Sequence, residues 1–263
     1  MRIIAGPCQH EGLAQSAEIA RECKRVCDKY GIEYYFKASY DKANRSSLGG
    51  ERGMGLEATL TDFLALKVTL GVKTLTDVHD YTQVKRIERE FKDAVDVYQI
   101  PAFLCRQTDL IQAACATDKI VNIKKGQFMA PWDMAGVLSK CTNAEEVWIT
   151  ERGTSFGYNN LVVDYTGLMY MLDTYEHDIV FDVTHSVQKP GGLGSSSGGN
   201  RDYVPRLACG GAAVGVRNFF LEVHPNPDLA PSDGPNMLRL EEFEDTVKQI
   251  YHISKISTNW RWL

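Results

Sequence analysis

The segment IVFDVTHSVQKPGGLGSSSGGNR, residues 179–201, begins as a buried strand and ends as a loop rich in glycine and serine. Its first part is a short apolar run of the kind found in parallel sheets that are covered on both faces. His185 stands where this run ends. Loops as long as the GGLGSSSGG stretch are often lids or binding loops in compact domains. We therefore expect His185 at the base of a loop that covers a functional face, with an unconstrained surface loop as the alternative.

Seven other segments have the same strand-like character, and helical patterns separate them. The predicted strands are 2–8, 34–40, 72–79, 95–102, 120–126, 147–153, 179–186 and 218–225. The clearest predicted helices are 13–30, ended by Gly31, 56–70, ended by Gly71, and 241–256. Eight strand–helix units in 263 residues predict an α/β fold of the (β/α)8 TIM barrel type, in one domain spanning 1–263. A doubly wound open sheet is the structural alternative.

Composition restricts the class of protein. The chain is 44% hydrophobic and 24% charged, as in ordinary globular proteins, and its net charge of −5 argues against a nucleic-acid or membrane surface. No apolar run reaches the roughly 18 residues of a membrane span, and the apolar start is too short for a signal peptide. Seven cysteines without a CxxC pair indicate reduced thiols. We expect a cytoplasmic protein.

Polar residues follow the apolar part of each predicted strand. In a barrel the carboxyl ends of all strands meet on one face, which is where enzymes of this fold keep their active sites. Each residue alone could be an edge or loop residue, but their shared position favours an active site. They are Cys8, Lys37, Asp77, His79, Gln99, Lys124, Lys125, Glu151, Arg152, His185, Glu222 and His224.

The basic residues among these strand ends and loops predict an anionic ligand. Converging cations repel one another unless an anion compensates them, and phosphate and carboxylate groups are the natural candidates. The loop FKASYDKANRSS, residues 36–47, offers lysine, arginine, asparagine and serine donors, with a solvated charged loop as the alternative. The basic set is Lys37, Lys42, Arg45, Arg52, Arg106, Lys124 and Arg152.

A second group of residues could hold a metal ion. Cys8, His185, Glu222 and Asp233 offer a thiolate, an imidazole and two carboxylates. The first three come from predicted strands 1, 7 and 8, which are neighbours in a barrel. The sequence lacks the short ligand spacing of zinc fingers, so spacing alone is a weak signal.

Several segments resemble the signature segments of the 3-deoxy-D-manno-octulosonate 8-phosphate synthase family. The resemblance extends from Gly6 to about Pro235 in the family's order, and KANRSS together with PAFLCRQTDL is its most specific part. The segments are FKASYDKANRSS (36–47), TDVH (76–79), QIPAFLCRQTDL (99–110), NIKKGQF (122–128), TERGTSFGYNNLVVD (150–164), FDVTHSVQKPGG (181–192) and EVHPNPDLAPSDGP (222–235).

This resemblance implies a homotetrameric (β/α)8 barrel that condenses phosphoenolpyruvate with D-arabinose 5-phosphate, for lipopolysaccharide biosynthesis in Gram-negative bacteria. His185, Asp77 and Lys42 are then the catalytic candidates. Arg106 would reach the active site of a neighbouring subunit. Phosphoenolpyruvate would contact Lys37, Lys42, Gln99, Lys124 and Arg152, and the sugar phosphate would contact Asn44, Arg45 and Ser46.

The family contains metal-dependent and metal-independent members, with Cys or Asn, respectively, after the early Gly-Pro. Cys8 therefore implies a divalent metal ion held by Cys8, His185, Glu222 and Asp233, and this ligand set accepts Zn, Fe, Mn, Co or Cd. The chain departs from the family pattern at QHEG (9–12) and at LGGERG (48–53), and the second departure lies on the sugar phosphate side of the expected pocket. The final residues ISTNWRWL (256–263) match no family motif.

Two other functions remain open from the sequence. A related condensing enzyme would make the seven-carbon shikimate precursor or a sialic acid. Relatives that use erythrose 4-phosphate usually carry Lys-Pro-Arg-Thr where this chain has KANRSS, which favours arabinose 5-phosphate. A catalytically inactive barrel that only binds a phosphosugar is the third hypothesis, and the intact set of candidate residues argues against it.

Overall fold

Parallel strands and helices alternate along the chain. The computed structural model describes residues 1–44, 49–192 and 197–258. Within them, the barrel strands are β1 Arg2–Gly6, β2 Glu33–Lys37, β3 Lys73–Asp77, β4 Val97–Ile100, β5 Ile120–Lys124, β6 Val147–Glu151, β7 Asp178–Asp182 and β8 Asn218–His224. The helices that follow them are α1 Leu13–Tyr30, α2 Leu56–Leu70, α3 Tyr81–Glu90, α4 Thr108–Cys115, α5 Met134–Leu138, α6 Tyr165–Thr174, α7 Val204–Ala213 and α8 Phe243–Ser257.

The eight strands close into a barrel. Each strand pairs in parallel with the next, and β8 pairs with β1, from Arg2 opposite Asn218 to Gly6 opposite Glu222. This closure confirms the predicted (β/α)8 barrel and excludes the open-sheet alternative. It also places the C-terminal ends of β1 and β8 side by side.

The barrel interior is filled by large apolar side chains. Trp148 and Tyr35 meet edge to face, with ring centroids 5.1 Å apart. The Arg2 guanidinium lies 4.2 Å from the Trp148 ring centroid and pairs with Glu33 and Asp178 at the N-terminal end of the barrel. Because side chains fill the interior and the N-terminal end of the barrel, a ligand cavity is expected at the C-terminal ends of the strands. The interior cluster comprises Ile4, Tyr35, Leu75, Val97, Trp148, Val180 and Phe220.

The two best-defined helix predictions are confirmed at both ends. Helices α1 and α2 end at Gly31 and Gly71, which both adopt the left-handed conformation (φ 63°) that glycine favours. Helix α8 begins at Phe243, two residues later than predicted. Among the described residues, every helix is too short or too polar to cross a lipid bilayer.

The predicted seventh strand is shorter than expected. Strand β7 ends at Asp182, and Val183–Ser186 form one helical turn instead. The Asp182 carboxylate accepts a hydrogen bond from the backbone N–H of His185 at 2.9 Å and so starts this turn. His185 is therefore held on a helical turn and not on an extended strand.

Short pairings beyond the barrel strands were not predicted. Thr154–Ser155 pairs with Leu161–Val162, and Gln188–Lys189 pairs with Gly198–Gly199, both antiparallel. Leu238–Arg239 pairs in parallel with Val223 and His224 at the end of β8. These pairings give local structure to the loops after β6, β7 and β8 on the C-terminal face.

Barrel closure predicts a strict requirement for glycine at position 6. A Cβ atom there would lie 2.0 Å from the Lys37 carbonyl oxygen, and this backbone atom cannot move without separating β1 from β2. We expect Gly6→Ala to lower the free energy of unfolding by about 3 kcal/mol, measured by urea denaturation. Gly136→Ala is the control, because a Cβ there has no neighbour within 4 Å. An unchanged urea midpoint for Gly6→Ala would contradict this packing.

Candidate active site

A polar cavity of about 590 Å³ opens at the C-terminal ends of the barrel strands. Its volume is typical of sites for small ligands. Loops after most of the strands contribute to its wall, as expected for the catalytic face of this fold. The predicted site residues that line it are Lys37, Lys42, Asn44, Asp77, His79, Gln99, Lys124, Arg152, His185 and Asp233.

The four predicted metal ligands converge beside this cavity. One ligand atom each from Cys8, Glu222 and Asp233 lies within 4.8 Å of the others. The Cys8 sulfur is 3.0 Å from Asp233 Oδ2. His185 Nε2 lies 3.8 Å from Glu222 Oε2 and 3.8 Å from Asp233 Oδ2. The barrel closure thus brings together residues that are more than 200 positions apart in sequence.

His185 is oriented by a neighbouring carboxylate. Its Nδ1 lies 2.8 Å from Asp182 Oδ2, and its Nε2 faces the carboxylates of Glu222 and Asp233. The same Asp182 oxygen accepts from Lys124 Nζ at 2.6 Å. Burial lowers the pKa of His185, but the charges of Asp182 and Glu222 and the hydrogen bond to Asp182 together raise it more, so the net shift is upward. Asp182 therefore orients both His185, a predicted metal ligand, and Lys124, a cation of the cavity.

The residues of this cluster fit a divalent cation. Glu222 Oε2 is buried and has no hydrogen-bond partner among the described residues. Burial, with the nearby charges of Asp233 and Glu222, raises the pKa of the Cys8 thiol, so a bound cation would have to displace its proton. Asp233 adopts the left-handed backbone conformation, with φ 54°, which is uncommon for a residue other than glycine and often marks functional sites. A thiolate, an imidazole nitrogen and carboxylate oxygens together suit transition-metal ions.

Two of the cavity cations have internal partners. Lys37 Nζ lies 2.8 Å from Glu222 Oε1 and 2.9 Å from the Cys8 carbonyl oxygen. Lys124 Nζ pairs with Asp182 and lies 3.9 Å from the centroid of the Phe220 ring at the cavity floor. The expected excess of cations is thus partly balanced by buried carboxylates.

Arg152 and Lys42 are the cations open to an anion. Within the described ranges, neither has a carboxylate oxygen within 4.0 Å. Arg152 is 5% exposed, and its Nη1 is buried without a hydrogen-bond partner among the described residues. Burial lowers the pKa of this guanidinium, which means that its charge is poorly solvated. An anion bound here would restore the lost interactions.

Asp77 and His79 form an ion pair on the opposite wall. His79 Nε2 is 3.0 Å from Asp77 Oδ2, while Asp77 Oδ1 and His79 Nδ1 are buried without a hydrogen-bond partner among the described residues. Lys42 Nζ donates to Ser39 Oγ at 2.8 Å. Burial lowers the pKa of Lys42, but the charges of Cys8, Asp77 and nearby carboxylates raise it more, so the ammonium group stays protonated.

Some strand-end residues do not line the cavity. Lys125 and Glu151 form a buried ion pair of 3.3 Å, and Glu151 Oε1 accepts from the backbone N–H of Arg152 at 2.9 Å. His224 Nε2 lies 2.8 Å from Gln15 Nε2 and 3.2 Å from Glu11 Oε1, beside α1. These polar residues hold loops in place behind the cavity wall.

Other predicted features lie away from the cavity or outside the described residues. Arg106 is exposed just before α4 and is not among the residues that line its own chain's cavity. Arg45 and Ser46 lie outside the described residues, as do 193–196 of the predicted lid and 259–263 of the C-terminal segment.

Several residues that line the cavity were not predicted from the sequence. Ser39 follows Lys37 by two positions, so the alternation of side chains in extended backbone could have indicated it. Arg201 donates to the Gly234 carbonyl oxygen at 2.9 Å and thereby contacts the loop that carries Asp233. Gln127 and Gln188 are uncharged amides, and nothing in the sequence distinguishes them from surface residues.

The Asp77–His79 pair predicts a pH-dependent contribution to stability. Burial lowers the pKa of His79, but the hydrogen bond and charge of Asp77 raise it more, so the net shift is upward. The folded protein therefore binds this proton more tightly than the unfolded chain, and the stabilisation is full below the ordinary histidine pKa and lost as pH rises through the raised value. We expect the free energy of unfolding of His79→Gln to be about 2 kcal/mol lower than that of the parent near pH 5.5. This difference should shrink above pH 8.

Urea denaturation at both pH values measures this effect. His177→Gln, which removes an exposed histidine before β7, should differ little from the parent at either pH. A His79→Gln deficit that stays constant or grows with pH would contradict the assigned direction.

Comparison with known proteins shows the family of the chain. The model of the DAHP synthetase I family matches residues 1–257. A 2-dehydro-3-deoxyphosphooctonate aldolase of Rhodopseudomonas palustris is 52% identical over 259 residues, covering 98% of this chain and 89% of the relative. The Bradyrhizobium diazoefficiens protein of the same name is 50% identical over 261 residues, covering 98% and 91%. The Nitrobacter hamburgensis protein of that name is 52% identical over 252 residues, covering 95% and 86%. The chain therefore belongs to the DAHP synthetase I family and, within it, to the 2-dehydro-3-deoxyphosphooctonate aldolases, also called 3-deoxy-D-manno-octulosonate 8-phosphate synthases.

Proposed function

We propose that this cavity condenses phosphoenolpyruvate with D-arabinose 5-phosphate and water, giving 3-deoxy-D-manno-octulosonate 8-phosphate and inorganic phosphate for lipopolysaccharide biosynthesis. The names of relatives that are about half identical over nearly the whole chain support this reaction. The structural observation that carries the proposal is the buried Arg152 guanidinium, whose Nη1 has no hydrogen-bond partner among the described residues, at a cavity that lies beside the Cys8–Glu222–Asp233 cluster.

The reaction joins two anions that repel each other. C3 of the enol bonds to the aldehyde carbon of the sugar, water adds at C2, and the C2–O bond to phosphate then breaks. The aldehyde oxygen gains the proton that the attacking water gives up, and the C2 hydroxyl formed by the water passes its proton to the departing phosphate as C2 becomes a ketone carbonyl. Holding both anions in place and neutralising their charge is the main physical task of the site.

Phosphoenolpyruvate would lie against the cations on the β5, β6 and β7 side. Arg152 Nη1 has no hydrogen-bond partner in the part of the chain that the structure describes, and it would take the phosphate. Lys124 lies above the Phe220 ring and would contribute a second positive charge. The further assigned contacts are Lys37, Lys42 and Gln99, all of which line the cavity.

The sugar phosphate would bind toward the loop after β2. Asn44 lines the cavity on that side. Arg45 and Ser46 follow it directly in sequence and are assigned to the sugar phosphate together with it.

Proton transfer is assigned to Lys42, Asp77 and His185. The Lys42 ammonium can donate to an oxygen that gains charge, and the unpartnered Asp77 Oδ1 can accept a proton. His185 is fixed by Asp182, so its Nε2 keeps one orientation during the reaction.

A divalent ion would be held by Cys8, His185, Glu222 and Asp233, with Zn, Fe, Mn, Co or Cd as the candidates. When bound, it would supply Lewis-acid polarisation of a substrate oxygen. Lys37 would keep its pairing with Glu222 Oε1 and leave Oε2 for the ion.

We also propose a homotetramer in which Arg106 enters a neighbouring subunit's active site. Arg106 is exposed and outside its own cavity, which suits a role in a partner. Large aromatic side chains are exposed on the adjacent loops after β5 and β6, including Phe128 (63%), Trp132 (60%) and Phe156 (72%). Such apolar surface is typical of subunit contacts. Light scattering of the purified chain measures the assembly state.

The proposal also covers the domain organisation and the cellular compartment. Residues 1–263 act as one catalytic domain, and the family match over residues 1–257 supports this. The protein works in the cytoplasm, and its seven free cysteines support a reducing compartment.

Removal of metal should abolish the reaction. We expect a strong chelator to lower the turnover rate by at least about 100-fold, and added divalent ion to restore it. Cys8→Ser should lose the ultraviolet thiolate-to-Cd²⁺ absorption, while Cys209→Ser on α7 should retain it. Undiminished turnover after chelation would remove the ion from the mechanism.

A two-substrate assay tests the reaction itself. Release of inorganic phosphate from phosphoenolpyruvate should require arabinose 5-phosphate, with kcat/KM at least about 100-fold above that for erythrose 4-phosphate. Reversed preference would favour the seven-carbon synthase. No phosphate release with either sugar, at any metal concentration, would favour a binding protein without catalysis.

A further inference from the structure

Gln188 connects Arg152, at the proposed anion site, to Asp233, one of the predicted metal ligands. Its side-chain oxygen accepts a hydrogen bond from Arg152 Nη2 at 3.1 Å. Its side-chain nitrogen donates to Asp233 Oδ1 at 2.8 Å. One half-buried amide therefore touches both the open guanidinium and a carboxylate of the cluster.

Each partner contacts Gln188 through one polar atom and directs another toward a proposed ligand position; Asp233 Oδ2 also accepts from Ser232 Oγ at 3.3 Å. Arg152 uses Nη2 for Gln188, and its Nη1 is buried without a partner among the described residues. Asp233 uses Oδ1 for Gln188, while its Oδ2 lies 3.0 Å from the Cys8 sulfur and 3.8 Å from His185 Nε2. Gln188 thus hydrogen-bonds to Arg152 Nη2 and Asp233 Oδ1, which leaves Arg152 Nη1 for the proposed anion and Asp233 Oδ2 for the proposed metal ion.

The chemistry of the two partners determines which way the amide points. A guanidinium can only donate hydrogen bonds and a carboxylate can only accept them. The amide oxygen must therefore face Arg152 and the NH₂ group must face Asp233. The reversed orientation would place donor against donor and acceptor against acceptor.

The backbone of Gln188 is held in place. Gln188 pairs with Gly199, and Gly199 packs so closely on Asn236 that a Cβ atom at 199 would lie 1.4 Å from Asn236 Oδ1. Asn236 is in the short turn Gly234–Asn236 that follows Asp233. The loops after β7 and β8 are thereby joined at Gln188, so the amide cannot move without disturbing one of its two contacts.

We infer that Gln188 is a positioning residue that couples occupancy of the metal site to binding of phosphoenolpyruvate. The identity of the two occupants rests on the proposed function. With no anion bound, the Arg152 charge polarises the amide and strengthens its hydrogen bond to Asp233, which reduces the negative charge that Asp233 offers a cation. An anion on Arg152 removes this effect, so metal binds more tightly, and by reciprocity bound metal tightens anion binding.

The test measures binding and needs no turnover. Cd²⁺ affinity is read from thiolate-to-Cd²⁺ absorption, with and without saturating phosphoenolpyruvate and without sugar, and phosphoenolpyruvate binding is read by calorimetry. We expect phosphoenolpyruvate to tighten Cd²⁺ binding about tenfold in the parent protein and about twofold in Gln188→Met, where only attraction through space remains. Gln188→Asn keeps the amide but is too short to reach both partners, so it should behave like Gln188→Met. Lys189→Met, at the adjacent exposed position, should keep the full tenfold effect.

The outcomes separate this inference from the proposed function. Parent protein that binds phosphoenolpyruvate but shows no effect on Cd²⁺ affinity would overturn the coupling alone. A folded Gln188→Met or Gln188→Asn protein with the full parental effect would also overturn it. Parent protein that binds no phosphoenolpyruvate would overturn both proposals.

Discussion

Closure of the barrel between β1 and β8 is the constraint on which the site depends. The register that places Gly6 opposite Glu222 brings the chain beyond β1, with Cys8, against the end of β8. Asp233 follows in the loop after β8, and β7 next to it supplies Asp182 and the turn that carries His185. The cluster of thiol, imidazole and carboxylates is thus a consequence of one parallel ladder. It needs no local ligand motif.

The second organising feature is the matching of buried charges. Lys37 pairs with Glu222, Lys124 pairs with Asp182, and His79 pairs with Asp77, all at or beside the cavity wall. Isolated buried charges are strongly unfavourable, so this pairing allows many ionisable groups to share a small volume. Among the described residues, the pairing leaves Arg152 Nη1 buried without a hydrogen-bond partner, which is the feature on which the proposed anion site rests.

Much of the fold followed from local pattern, and the misses have physical causes. Helices α1 and α2 were predictable because apolar periodicity ends at glycine in each. Lys124 and Lys125 looked equivalent at a strand end, yet adjacent strand residues point to opposite faces, so Lys124 enters the cavity and Lys125 packs outside the barrel. The helical turn at His185 depends on capping by Asp182, a contact that an apolar run conceals. Gln188 could not be found, because an amide acquires its role only from the two partners that the fold brings to it.

The internal pairing of carboxylates also bears on the order in which the protein is assembled. Glu222 is paired with Lys37, and Asp182 with Lys124 and His185, by side chains of the polypeptide itself. Small zinc domains, by contrast, remain unfolded until their ion arrives, because nothing else balances their ligands. Here the polypeptide's own cations balance the carboxylates, so under the proposed function the barrel would be completed before metal is taken up, and the supply of metal in the cell would govern how much of the folded protein is active and not how much of it folds.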